Sequence, residues 1–287
     1  MVELDDSIAG AVCAEPAISS LKSKAGKDVE IVVCGSGGEL FLNHPSITAV
    51  IAVPETDAGE DQLYLRLKGP EAANAMSIHL VDWYAKQMGV NVENKCPRIY
   101  LESVDFVTMQ KFHAGSDKSR RIAIAPGSDV SIKLWGHDKW KRLCKRIEET
   151  FDADIIQIGC DGDVFVGFGE DLTGKLSPRQ GAALIKTCDL LVSVDNGFVQ
   201  IAGAVETPCV ALFGPIEPAS RIYEESCKAV IASEDECNGC MHVERNSGSD
   251  AECIAGSNEC MANISVSQVL DRVAEFCETA EEIILPE

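Results

Sequence analysis

Residues 193–215 read SVDNGFVQIAGAVETPCVALFGP. A β-rich run from Leu190 to Val194 ends in Asp195-Asn196-Gly197 and passes into an apolar-periodic segment, Phe198 to Val205. It then breaks at Thr207-Pro208 and returns to a second strand, Cys209 to Phe213. This pattern predicts a strand, helix, strand unit whose turn lies at a strand's C-terminal end. Ligands of open α/β sheets bind at such ends, because helix N-termini there offer free N–H groups and a positive dipole end to anions. Asp195 can accept bonds from ligand hydroxyls while Asn196, Gly197 and the first helical amides face a phosphate. An isolated Asp-Asn-Gly is ordinarily a plain N-cap and turn, so the neighbouring segments decide its meaning.

Outward from this unit the alternation continues. Strands are predicted at Arg121–Ala125, Asp154–Ile158 and Ala229–Ala232, with helices over His137–Phe151, Ser177–Thr187 and Ile264–Ile284. The first half shows the same rhythm: a stub strand at Val2–Leu4, a helix over Ile8–Lys24, strands at Val29–Cys34, Ile47–Val53 and Leu63–Leu67, and a helical pattern from Pro70 to Met88. Alternating strands and helices imply parallel, doubly wound sheets. The segment Glu102–Gly115 reads as a linking helix, which places two domains at residues 1–115 and 116–287.

Composition supports a globular reading. The chain has 287 residues, 46% of them hydrophobic and 25% charged, which suits about two domains at roughly 150 residues each. No apolar run reaches the ~18 residues of a membrane span. The opening MVELDDSIAGAV lacks the basic and long apolar regions of a secretory signal, and the expected location is the cytoplasm. A net charge of −21 repels phosphate backbones, so a nucleic-acid partner is not expected.

Two further motifs carry chemistry. After the strand at Arg121 comes PGSDVSIKLW, with Gly127-Ser128 at the turn and Lys133 close behind. A small turn residue lets backbone amides approach a phosphate, a hydroxyl adds a donor, and the lysine adds a compact positive charge. Both this turn and Asp195-Asn196-Gly197 lie at C-terminal strand ends of one sheet, so they can face one ligand. The 13 cysteines include Cys237, Cys240, Cys253 and Cys260, spaced C-x2-C-x12-C-x6-C. Four thiolates with one close pair suit zinc or iron; free or disulfide-paired thiols are the other reading.

These residues together, Gly127-Ser128, Lys133-Leu134-Trp135, Leu172-Thr173-Gly174, DNGFVQIAGAVETPCVALFGP and Cys260-Met261, resemble glycosyltransferase family 9 in their order. That family comprises ADP-heptose:lipopolysaccharide heptosyltransferases and protein-modifying relatives. The similarity is strongest over Ile122–Ile264, and AVCAEPAISSLKSK resembles the family's first helix. The resemblance implies the α/β GT-B fold, two Rossmann-like domains facing across a cleft, with an acceptor-side N-terminal domain and a C-terminal domain that holds the nucleotide sugar. It implies transfer, with inversion, of a heptose or related sugar from a nucleoside diphosphate, ADP foremost, to a saccharide or protein hydroxyl. The alternative is a catalytically silent nucleotide-sugar-binding or assembly protein of the same fold.

By the same resemblance, Gly127, Ser128 and Lys133 fall at the donor diphosphate, Thr173 and Gly174 flank the nucleotide, and Asp195, Asn196, Gly197 and Gln200 line the donor loop. Two positions depart from the family. Gln200 stands where His is usual, and Ala9-Gly10 stands where a Gly-Asp usually supplies the general base. Asp5 and Asp6 are the candidates for that base. The four-cysteine insertion at 237–260 is expected to hold structural iron or zinc, with no metal at the reaction centre, and a homo-oligomer is one open assembly.

Overall fold

The computed structural model describes residues 1–5, 7–52, 63–70, 77–107, 109, 117–223, 227–231, 238–242 and 251–279. In the first half run β1 (Val2–Glu3), α1 (Ile8–Ala25), β2 (Val32–Cys34), a 3-10 turn (Gly38–Phe41), β3 (Ala49–Ile51), β4 (Leu65–Arg66), α2 (Leu80–Met88) and α3 (Ser103–Val107). Their strands form a parallel sheet in the order β3-β2-β1-β4. The second half contains β5 (Arg120–Ala125), α4 (His137–Phe151), β6 (Ala153–Gln157), β7 (Glu170–Asp171), α5 (Pro178–Lys186), β8 (Leu190–Val194), α6 (Gly197–Ala204), β9 (Cys209–Phe213), β10 (Cys227–Ile231), α7 (Glu259–Ala262) and α8 (Val266–Thr279). Its parallel sheet has the order β10-β9-β8-β5-β6-β7.

That order decides where a ligand can sit. From β5 the sheet grows one way through β6 and β7, and from β8 the other way through β9 and β10. The loops leaving β5 and β8 therefore diverge and leave a crevice at their C-terminal ends, a topological switch point. In the smaller sheet β1 lies between β2 and β4, so its exit, at Asp5, opens in the equivalent way.

The central strands LLVSV and CVALF are buried at every residue, as parallel strands covered on both faces must be. Helix α5 starts with a reciprocal capping box between Ser177 and Gln180, followed by Pro178, whose missing N–H is an orphan at a helix start anyway. Helix α4 divides cleanly: Trp140, Leu143, Cys144 and Ile147 are buried while its lysines and arginines face outward. Helix α1 is different, with residues 10–18 all buried although Pro16 interrupts its hydrogen bonding. It lies between α2 on one side and α6 on the other. One buried cluster accordingly runs through both halves, joining Val12, Ile18 and Tyr84 to Val199 and Ile201.

Arg179, on α5, fastens the halves together. Its Nε and Nη2 donate to the Asp105 carboxylate at 2.8 and 2.7 Å, and Nη2 also donates to Tyr100 O at 2.8 Å. Its Nη1 donates to Glu39 O and Leu42 O, each at 3.2 Å, while the Arg179 amide donates to Glu39 Oε1 at 2.9 Å. Within the first half, the buried Glu15 of α1 accepts from His44 Nε2 at 2.8 Å, Ser19 Oγ at 2.6 Å and the Arg98 amide at 2.9 Å.

The first sheet's strands are shorter than predicted. Val29 is 43% exposed and lies before β2 rather than in it. Of the helical pattern expected from Pro70 to Met88, the described part is α2 from Leu80, capped by His79, whose Nδ1 accepts from the Val81 amide. Residues 71–76, most of the expected linking helix after Val107, and residues 280–284 of the expected closing helix lie outside the described residues.

Candidate functional site

The crevice is built from three strand exits. At the β8 exit, Asn196 caps α6: its Oδ1 accepts from the Phe198 amide at 2.9 Å, and its Nδ2 donates to Gly127 O at 2.9 Å and Ala125 O at 3.3 Å. One side chain thus cross-links the exits of β8 and β5. Ser193 Oγ supports it, donating to Asn196 Oδ1 at 3.0 Å.

Asp195 is 5% exposed, and Lys133 Nζ stands 2.7 Å from its Oδ2. Among the described residues that oxygen has this ion pair and no other donor. Lys133 reaches it from a 3-10 turn at Ser131–Lys133, which places the ammonium over the crevice. Ser128 Oγ turns back to accept from the Val130 amide at 3.1 Å, shaping the loop that carries the lysine.

The third exit is Asp5. Its Oδ1 accepts from the Ser7 amide and Ser7 Oγ, both at 3.0 Å, and Tyr84 OH donates to its Oδ2. Burial, and then the charge of Asp5, push the Tyr84 phenol well above its ordinary range, so it stays a donor. A Cβ on Gly10 would overlap the Asp5 carboxylate. Asp5 therefore occupies the space into which a side chain at position 10 would project. A Cβ on Gly197 would lie 3.0 Å from Ile8 Cβ, so the α6 turn abuts the first turn of α1 beside Asp5. The second base candidate, Asp6, lies outside the described residues.

Thr173 and Gly174 stand on the far wall. Thr173 Oγ1 accepts from the buried Gln157 at 3.2 Å, and Gly174, at φ +67°, donates its amide to Gly159 O at 3.0 Å. Between them and Gly127 lies Asp163, which sequence reasoning missed. Its carboxylate accepts from the Cys160 amide at 2.8 Å and fills the space a Cβ at Gly127 would need. A Cβ at Gly159 would also meet that carboxylate, so Asp163 sits against two glycines that only the fold brings together.

Gln200 is placed elsewhere. It is 1% exposed; Oε1 accepts from Tyr223 OH at 2.9 Å and Cys13 Sγ at 3.2 Å, and Nε2 donates to Arg221 O at 2.7 Å. These bonds commit it to the packing of α6 against α1, away from the cleft wall. Burial pushes the Cys13 thiol up to about 12, leaving it a neutral donor there.

The cysteine segment meets the sheet at the β9 exit. The Gly239 amide donates to Gly214 O at 2.8 Å and the Met241 amide to Pro215 O at 2.9 Å, which seats Cys240 beside that turn. Cys260 Sγ is on the same turn, 2.8 Å from where a Gly214 Cβ would be. Cys253 Sγ accepts from the Asn258 amide at 3.1 Å. Burial works to raise its pKa, but amides of Asn258, Ala255, Ser257 and Gly256 outweigh it and hold the thiol below its ordinary range. Cys237 lies outside the described residues, and among those described no three His, Cys, Asp or Glu side chains converge on one metal-binding point. His242 Nε2 accepts from the Glu217 amide at 3.0 Å, so the ring proton belongs on Nδ1.

Residues 84–249, more than half of the chain, match the model of the family described as glycosyltransferase family 9 (heptosyltransferase). Among curated proteins, lipooligosaccharide heptosyltransferase 2 of Haemophilus influenzae is 29% identical over 111 residues, which cover 34% of this chain and 32% of the relative. The match thus spans about a third of that protein's length. Among solved structures, E. coli ADP-heptose lipopolysaccharide heptosyltransferase II superposes with a TM-score of 0.74 at 14% identity, covering 98% of both chains. The iron-containing dodecameric glycosyltransferase TibC of enterotoxigenic E. coli gives a TM-score of 0.74 at 16% identity, over 97% of this chain and 76% of that one. The fold is GT-B, with two Rossmann-like sheets.

Proposed function

Because the chain belongs to glycosyltransferase family 9, we propose that it transfers a heptose or related sugar, with inversion, from ADP to a saccharide or protein hydroxyl. The observation that carries this reading is the meeting of three strand exits. The Lys133–Asp195 pair and the start of α6 lie at the β5/β8 switch point, and the α6 turn abuts the helix that begins beside Asp5.

Each part has a step. Lys133 and the first amides of α6 offset the negative charge that grows on the diphosphate as its bond to the sugar's C1 breaks. Asp195, paired with Lys133 in the free protein, turns to a sugar hydroxyl once phosphate replaces it as the lysine's partner. Asp163 repels phosphate and suits a ribose hydroxyl. Asp5 takes the proton of the acceptor hydroxyl while that oxygen forms its bond to C1 from the opposite face. The products are the glycosylated acceptor, ADP and a protonated Asp5.

TibC is described as iron-containing, and this chain's cysteines fit a metal in part. Cys253 is a thiol whose pKa neighbouring amides already hold down, Cys240 and Cys260 share the Gly214–Pro215 turn, and Cys237 would complete the set. Iron or zinc there would staple the 237–260 segment to the β9 exit, outside the reaction. Metal analysis of the purified chain should find about one metal per chain, lost in the Cys253→Ser/Cys260→Ser variant. Metal retained by that variant would move the site elsewhere.

The test of the transfer reading is a thermal-shift panel with ADP, GDP, UDP, CDP and ADP-heptose, followed by turnover of ADP-heptose. A ligand at about 100 times its dissociation constant should stabilise the fold by about 2.7 kcal/mol. Selective response to ADP and ADP-heptose with ADP release supports transfer; response without release supports the silent nucleotide-sugar-binding reading. No response to any nucleotide defeats both.

A further inference from the structure

A cavity of about 700 Å³ lies away from the cleft, between the outer face of α4 and the start of α8. Its walls carry Lys139, Arg142, Lys145 and Arg146 from α4 against a single carboxylate, Glu149. Five of the chain's 25 lysines and arginines fall within residues 139–146, in a protein whose net charge is −21. The helical spacing of 139, 142, 145 and 146 puts these cations along one face. The overall negative field does not cancel them, since at physiological salt it is screened beyond about 8 Å.

Two of the four cations hold the groove open. Lys139 Nζ donates to Ala262 O and to Ile264 O, which fixes the segment entering α8, and it lies 5.6 Å from the centre of the Trp135 ring. Arg146 Nη1 reaches Ser267 Oγ at 3.4 Å on the opposite wall. The other two are less engaged. Among the described residues Arg142 donates only from Nε, to Asp138 O at 3.3 Å, and Lys145 has only Glu149 Oε1, at 3.7 Å. Arg142 keeps its terminal N–H groups for a bidentate partner, and Lys145 keeps its ammonium. The reciprocal cap between Ser265 and Gln268 leaves the Val266 and Ser267 amides at the cavity wall.

We propose that this groove is a second anion site, for a ligand carrying two or more phosphate groups, separate from the crevice at Lys133. Its volume is in the small-molecule range of roughly 300–1,000 Å³. The spacing of the cations along α4 asks for charge spread over more than one group. The phosphates can belong to a free phosphorylated compound or to a lipid headgroup. The groove also shares a wall with the donor loop: Trp135, two residues past Lys133, donates from Nε1 to Ile264 O at 2.9 Å. A ligand pressing on 262–267 therefore bears on the segment that carries Lys133.

The experiment is calorimetric titration of the full chain with inorganic tripolyphosphate, comparing wild type, Lys133→Ala and Arg142→Glu/Lys145→Glu. Saturable binding should persist in Lys133→Ala and weaken about tenfold or more in the double variant, as expected when charge-assisted bonds to phosphate are lost. The milder Arg142→Gln/Lys145→Gln variant should show the same loss with an unchanged melting temperature, which separates binding from folding. Flotation with vesicles of phosphatidylcholine containing phosphatidic acid names the source: binding that requires Arg142 and Lys145 assigns a headgroup, and tripolyphosphate binding without flotation assigns a free compound. Equal tripolyphosphate affinity in wild type and both double variants, or complete loss of binding in Lys133→Ala, overturns the second site.

Discussion

At the scale of single residues, the proposed transfer asks for groups that hold the donor and one that takes a proton. Lys133 belongs to the first. Lys133→Ala should weaken ADP binding roughly ten- to a hundredfold, since a hydrogen bond from a charged group is worth about 1.5–3 kcal/mol. It also strips a buried carboxylate, Asp195, of its ion-pair partner, so a fall in melting temperature should accompany the loss. Lys133→Arg should recover stability better than affinity, because the larger fork cannot reproduce a point charge at the same place. Asp5 belongs to the second group. Asp5→Asn should leave ADP affinity within about twofold yet slow transfer by about 10²–10⁴, the usual contribution of a general base; unchanged turnover would remove Asp5 from the reaction. Lys133, Asp195 and Asp5 stood out in the sequence as polar residues in the segments that leave predicted strands, and the fold brings Lys133 and Asp195 into contact. Asp163 and Tyr84 did not stand out, because their importance comes from glycines and carboxylates that only the fold brings together. Gln200 is a different case. Position in a motif marked it for the cleft, but two buried hydroxyl and thiol donors, Tyr223 and Cys13, claim its oxygen.

At the scale of elements, the contacts that set α5 against the first half converge on Arg179. Its guanidinium is shared by the Asp105 carboxylate and carbonyls of Glu39, Leu42 and Tyr100, groups drawn from the 3-10 turn, the segment after Pro97 and α3. Burial alone would raise the Asp105 pKa, but bonds from Arg179 and the Glu102 amide, with the arginine's charge, hold it below the usual carboxylate range. Removing one partner of a buried pair leaves the other uncompensated, at about 3–5 kcal/mol. Arg179→Ala should therefore lower the urea midpoint sharply, and Arg179→Lys should restore only part, since one ammonium cannot meet four acceptors in a plane. A midpoint within error of wild type for Arg179→Ala would show that the halves are held by α1 packing alone. In the sequence this arginine is one more charge at a helix start. The helices themselves were legible from apolar period and caps, whereas α1's burial on both sides, which makes it the wedge between sheets, leaves no amphipathic trace to read.

At the scale of the molecule, two parallel sheets present their C-terminal strand ends to each other, and several described side chains join the two halves. His79 is one. Its Nε2 lies 3.4 Å from Ile222 O in the second half, its Nδ1 caps α2, and its ring is 5.7 Å from that of Tyr223. Burial is the largest influence and lowers its pKa; the Ile222 carbonyl and Asp82 oppose this, while Lys95 and Arg221 add to it. The folded protein thus holds His79 neutral more firmly than the unfolded chain, whose imidazole titrates near 6.5. Stability tied to this group is complete above that value and falls as pH drops through the range below it, because the unfolded state takes up the proton first. The slope can reach at most about 1.4 kcal/mol per pH unit for one proton. Urea midpoints at pH 7.5 and 5.5 should show this loss for wild type. His79→Asn, which keeps a side-chain acceptor at the α2 cap but does not titrate, should be less stable at pH 7.5 and flatter across the interval. An equal slope in both proteins would assign the acid sensitivity to other groups and leave His79 as a helix cap.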